Sequence, residues 1–271
     1  HIRSQFTAQF ITEHGYQPDT PTFAALMGYL RGFSVSNLVA KLYAGVRIDE
    51  FDNRLEQPVQ TPFLMQPLPN AYFTRDPQSV IGNGLTINRM TYPVRQVESL
   101  LTELVMTYHP RFAGHVNIWR SREVETCLEG GDVLILNEHT LAVGLSERTE
   151  QAAVSELAET LFKSADSQID TVLMMQIPHS HATMHLDTVF TMVNNNQFTM
   201  YPGVLAGGKE IEMVLARRKS SGEVVLGRRT DLIATLREVT GEVDLDLILT
   251  GAGDPVHASR EQWNDGSNTL T

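Results

Sequence analysis

Apolar positions in the first fifty residues recur at helical spacing. Phe6, Phe10 and Ile11 lie one turn apart, and Gly15 can stop that helix. Thr20-Pro21 is a helix start with proline in the first turn, followed by Phe23, Leu26, Met27, Leu30 and Phe33 on one face. Ser36 is placed to cap a third helix carrying Leu38, Val39, Leu42 and Val46. The expectation is a helical bundle over residues 1–55, forming a domain over 1–58, with the proline-rich stretch from Pro58 to Pro69 ending it.

From about residue 70 the period changes. Short apolar runs at Leu85–Met90, Val133–Leu136, Leu141–Leu145, Val172–Ile177, Thr188–Val193, Phe198–Tyr201 and Leu247–Leu249 read as strands. Between them come amphipathic helices, one with Val97, Leu100, Leu101, Leu104 and Tyr108, one with Val154, Leu157, Ala158 and Leu161, and one near Leu232–Leu236. A motif rich in acids opens each cycle: Asn70–Asp76, Glu129–Asp132, His185–Asp187 and Arg260–Asn268. This is an internal strand–strand–helix–strand repeat, and it predicts an α/β domain over residues 59–271. If such units pack around an axis, their opening motifs converge on one site. An ordinary α/β sheet with scattered loop acids is the alternative.

Composition narrows the classes. The 271 residues are 42% hydrophobic and carry a formal net charge of -11, with a pI near 5.2. No run of lysine or arginine stands out, which argues against a nucleic-acid partner. No apolar run approaches the roughly 18 residues of a membrane span, and there is no signal-peptide layout. The single cysteine, Cys127, rules out an internal disulfide and fits a reducing, cytoplasmic compartment.

The candidate chemistry is carboxylate-rich. His185 and Asp187 are two apart at the head of a β-branched run, and on a strand they would share a face. Asp76 precedes Pro77 and is alternatively a turn aspartate paired with Arg75. Glu129 precedes Gly130-Gly131, a pair that permits close approach of a ligand but is also common in turns. Together Asp76, Glu129 and Asp187 suit a guanidinium, whose fixed fork of N–H donors matches paired carboxylates. Arg95 and Arg148 could then meet the carboxylate of an amino-acid substrate; a solvated surface position is the other reading of each. A metal site at His179, His181, His185 and Asp187 is a third possibility, although the DxHxD pattern of metal-dependent amidinohydrolases is absent.

At these residues the sequence is similar to arginine deiminases. The matching stretches are Pro69–Asp76 (PNAYFTRD), Glu129–Asp132 (EGGD), Ser146–Thr149 (SERT), Met184–Phe190 (MHLDTVF) and Arg260–Asn268 (REQWNDGSN). The resemblance implies the pentein fold, an α/β propeller of five pseudo-symmetric ββαβ units, with an inserted helical bundle. It implies hydrolysis of L-arginine to L-citrulline and ammonia without a metal or organic cofactor. By position, Asp76 and Asp187 would grip the guanidinium, and His185, oriented by Glu129, would be the general acid and base. Asn70, Phe73, Arg95, Arg148 and Asn268 would line the substrate site. A cysteine thiolate would attack the guanidinium carbon, leaving a thiouronium adduct for water to resolve. In that family the cysteine stands in a Gly-rich segment near the C-terminus that these residues do not include. The expectation is therefore a fold incomplete at both ends, and a chain inactive by itself. A homo-oligomer is compatible with the resemblance. Agmatine or other guanidine deiminases, and a non-catalytic deiminase-like binding protein, remain alternatives.

Overall fold

In the computed structural model, residues 2–50, 61–180, 183–205 and 211–268 are described. The chain forms two compact units, residues 1–77 with 92–115 and residues 78–91 with 116–271.

The first unit is helical. Helices α1 (Ile2–Glu13), α2 (Pro21–Arg31) and α3 (Val35–Ala44) are followed by the short antiparallel pair β1 (Val46–Arg47) and β2 (Phe63–Met65). Helix α4 (Pro93–Tyr108) comes from later in the chain. Phe10, Ile11, Leu26, Leu30, Leu42, Met65, Val97 and Leu100 form the core, so the stripes expected on the first helices and on α4 face one another. Thr20 caps α2 by accepting the Phe23 N–H. The third helix starts earlier than expected. Ser34, in extended backbone, accepts the Asn37 N–H at 3.3 Å, and Ser36 lies inside the first turn. Of the proposed bundle, residues 51–60 lie outside the described residues.

The second unit contains the repeat. Strands β3 (Gln78–Ile81) and β4 (Gly84–Ile87) pair antiparallel, and β5 (Asn117–Arg120) joins β4 in parallel after α4. Strands β6 (Val133–Asn137) and β7 (Thr140–Leu145) repeat the arrangement, with α5 (Gln151–Lys163) and then β8 (Thr171–Gln176) parallel to β7. A third cycle has β9 (Phe190–Asn194) antiparallel to β10 (Gln197–Met200) and β13 (Asp246–Leu249) parallel to β10. Three ββαβ units with one topology are thus present among the described residues.

The third cycle holds an extra hairpin. Strands β11 (Met213–Arg218) and β12 (Val224–Arg229) come between β10 and α6 (Leu232–Thr240), yet β11 pairs with β8 and extends the second cycle's sheet to the order β12-β11-β8-β7-β6. The chain continues into α7 (Pro255–Trp263), capped by Asp254. Two apolar cores fill this unit. One, with Leu141, Val154, Leu157 and Leu161, lies beneath α5; the other, with Leu173, Leu186, Phe198 and Leu236, lies beneath α6. No helix among the described residues is long and apolar enough to cross a membrane.

Candidate active site

The second and third repeats are each entered through a short 3-10 turn rather than directly through a strand. Gly130–Asp132 forms one before β6, and Leu186–Thr188 forms one before β9. The second turn corrects an expectation. His185 and Asp187 do not share a strand face, because Thr188 bonds back to the His185 carbonyl through both its N–H (3.3 Å) and its hydroxyl (2.7 Å). The strand begins only at Phe190.

These turns bring Glu129 to His185. The Glu129 carboxylate is fully buried and faces His185 Nε2 at 2.8 Å through Oε2. Its Oε1 accepts the Thr91 N–H at 2.9 Å, and its own N–H is donated to Thr149 Oγ1 at 3.1 Å. Arg148 Nη1 stands 3.7 Å from Oε2. Burial pushes the Glu129 carboxyl up, but His185, the Thr91 amide and Arg148 together hold it below the usual carboxylate value. Glu129 is accordingly the acceptor and His185 Nε2 the donor. Gly131 makes room for the ring, since a Cβ there would lie 2.6 Å from His185 Nδ1. Arg148 is buried, not a solvated surface residue, and Thr91 Oγ1 donates to its carbonyl at 2.8 Å. Asp187 is buried beside His185 in sequence, and its carbonyl accepts from Thr191 Oγ1.

A second charged group lies within the helical unit. Arg95, in the first turn of α4, is buried, which excludes the solvated reading. Its Nε and Nη2 donate to the two oxygens of Glu98 at 3.1 and 2.9 Å, and Nη1 donates to Asp76 Oδ2 at 2.9 Å. Burial opposes the Arg95 charge, yet Glu98 and Asp76 outweigh it and raise the guanidinium above its ordinary value. Asp76 thus has Arg95 as a salt-bridge partner, a pairing that the turn reading with Arg75 did not include. Asn70 is half-buried, and Phe73, whose N–H meets the Asn70 carbonyl, is exposed against Tyr72. Asn268 is exposed in the turn after α7. Of the four groups suggested as metal ligands, His181 lies outside the described residues.

Three residues of this geometry were not singled out from sequence: Thr91, Glu98 and Asp132. Asp132 and the Ser146–Thr149 stretch were visible as motif letters. Thr91 and Glu98 carried no signal, because one acts through its backbone and the other lies mid-helix.

A buried histidine–carboxylate pair set on the entry turns of ββαβ repeats makes this an α/β protein with a candidate site for acid–base chemistry. The profile of the family described as Arginine deiminase matches residues 33–271. The arginine deiminase of Limosilactobacillus fermentum is 47% identical, across 99% of this chain and 67% of that protein. That of Lactococcus lactis subsp. cremoris is 49% identical over the same shares. The chain belongs to the arginine deiminase family, and it spans about two thirds of the length of these relatives. Among solved structures it is similar to a Pseudomonas aeruginosa DDAH complexed with citrulline, with TM-score 0.42 and 15% identity over 71% of this chain and 73% of that one. It is also similar to the Streptomyces griseus inosamine-phosphate amidinotransferase, with TM-score 0.39 and 12% identity over 72% and 50%.

Proposed function

We propose that this protein hydrolyses L-arginine to L-citrulline and ammonia, with His185 as the proton carrier. The observation that supports this reading best is the buried 2.8 Å pair between His185 Nε2 and Glu129 in a chain of the arginine deiminase family. Glu129 orients the His185 ring and favours its protonated form, and His185 exchanges protons with the reacting groups. It gives a proton to departing ammonia in the first half-reaction and takes one from water in the second. Asp76 and Asp187 bind the guanidinium, and Asn70, Phe73, Arg95, Arg148 and Asn268 surround the rest of the substrate. The three ββαβ units support a place for this chain in the five-unit pentein propeller.

The covalent route needs a thiolate, and we assign that role to a cysteine other than Cys127. Burial raises the Cys127 thiol above its ordinary value, and Glu150 adds to the effect while Thr91 and Arg89 oppose it. Its Sγ lies 3.9 Å from the Met90 carbonyl, a packing position.

The test is citrulline release from arginine by the full-length protein. His185→Ala should reduce turnover to background or trap the covalent adduct, visible by mass spectrometry, and Cys127→Ala should leave turnover within about twofold, as expected for a residue outside the chemistry. Wild-type turnover in the His185 variant overturns its role, and loss of activity in the Cys127 variant overturns the exclusion of that thiol. A second measurement concerns selectivity. If Arg148 meets the α-carboxylate, Arg148→Ala should weaken kcat/KM for arginine by about 2–5 kcal/mol, leaving any turnover of agmatine unaffected. Equal loss on both substrates removes the assignment.

A further inference from the structure

Asp132 takes no step in the scheme above, yet its carboxylate is completely enclosed and bonds to groups that flank the residues that do. Its Oδ1 accepts the Leu186 N–H at 2.8 Å, the amide between His185 and Asp187. Its Oδ2 accepts the Ser146 hydroxyl at 2.7 Å. Ser146 Oγ in turn accepts the N–H groups of Arg148 (3.0 Å) and Thr149 (3.2 Å). The Thr149 side chain bonds to Asp132 as well, while accepting the Glu129 N–H. Strand β7 is shaped around the group: a Cβ at Gly144 would lie 2.4 Å from Asp132 Oδ1 and 2.8 Å from Leu186 Cβ.

We infer that Asp132 is a positioning residue for arginine hydrolysis, fixing His185 and Asp187 through the Leu186 amide and Glu129 and Arg148 through Thr149 and Ser146. This rests on the function proposed above. The arrangement requires a carboxylate and not merely a polar group of that size. Both oxygens accept, and the Ser146 hydroxyl proton has no other use because its lone pairs already serve two backbone amides. An asparagine of the same shape turns one acceptor into a donor. Its NH2 would face either Ser146 Oγ, whose acceptor sites are occupied, or the Leu186 N–H, which is itself a donor. Either way the 3-10 turn carrying His185 and Asp187, or the turn carrying Arg148, must shift. A displacement of about 1 Å in an acid–base group costs on the order of 100-fold in rate.

The experiment compares Asp132→Asn and Ser146→Ala with wild type in the full-length protein. Steady-state kinetics and pH profiles on arginine are read beside thermal melting and the NMR signal of the imidazole N–H donated to Glu129. Asp132→Asn should lower kcat by about 100-fold, change KM much less, and broaden or move the imidazole N–H resonance while the protein remains folded at the assay temperature. Ser146→Ala keeps the Leu186 bond and removes only the branch to Arg148 and Thr149. It should therefore leave the imidazole signal in place and act chiefly on KM for arginine. An unchanged kcat and imidazole signal in folded Asp132→Asn overturns the inference. So does a loss of activity that simply tracks the unfolded fraction, or identical effects of the two substitutions. If wild type releases no citrulline, the proposed function fails, and the imidazole signal still decides whether Asp132 sets His185.

Discussion

Gly131 and Gly144 leave the spaces that the site's side chains occupy, one for the His185 ring and one for the Asp132 carboxylate. Gly131→Ala should therefore displace the imidazole from Glu129 and reduce turnover of arginine with a smaller effect on stability; a thermal melt beside the assay separates the two. The two buried acids should respond oppositely to pH. Burial raises Asp132 to about 6, against the pull of His185 and its hydrogen bonds. Its folded form therefore favours the proton, so its contribution is full below pH 3.8 and is lost as pH rises through about 6. Glu129 is held below its usual 4.5, so its contribution is full above that value and is lost as pH falls through the lower folded one. Urea midpoints measured against pH should flatten between about 4 and 6 in Asp132→Asn and below about 4.5 in Glu129→Gln. For Asp132 the difference across its window is on the order of 3 kcal/mol. Curves parallel to wild type would contradict both assignments.

At the scale of elements, His14 joins the end of α1 to the segment after β2. Its Nδ1 faces the Phe10 carbonyl at 2.8 Å and its Nε2 the Gln66 carbonyl at 3.3 Å. Burial lowers its basicity more than the two carbonyls and Glu13 raise it. Stability from this group is therefore present above pH 6.5 and is lost as pH falls through its lower folded value. His14→Gln should flatten acid destabilisation just below pH 6.5, as read by helical circular dichroism at fixed urea. The sequence was informative about many of the elements with one face on a core, although β11, with Met213 and Leu215 buried, was not among the strands it suggested. Helices α1, α2, α4 and α5 showed their stripes because Phe10, Leu26, Leu100 and Leu157 each recur with partners one turn away. Strands β7 and β8, buried along nearly their whole length, stood out as apolar runs. Strand β12 was missed because Val224, Val225 and Leu226 are exposed at a sheet edge and show no alternation. Strand β5 was missed because its buried residues are Trp119 and Arg120, a pair that does not look like a core. The site was legible as motifs, but not as a network. Glu129 and His185 could be named, whereas the turn that carries His185 depends on the Asp132 carboxylate, 54 residues away in the chain.

Across the whole chain the net charge of -11 offers a cationic substrate an attractive field. Arginine kcat/KM should fall as salt rises from 0.01 to 0.15 M, where the screening length shrinks from about 30 to about 8 Å. A guanidino acid of similar size lacking the α-amino group, and so carrying no net charge, should show a much weaker slope, and equal slopes would place the effect elsewhere. The β11–β12 hairpin has a different kind of consequence, one that concerns time. Strand β8 is synthesised well before β11, its neighbour in the sheet, because the whole β9–β10 pair is made in between. At roughly 5–20 residues per second, the nascent chain carries β8 as an open edge for several seconds. Only when Arg229 has left the ribosome can both strands of the hairpin lie in place. Until then the second and third repeats are unfinished together. Their birth order on the ribosome is not their folding order, and a pause in translation after Met200 would prolong the interval in which β8 can pair with the wrong strand.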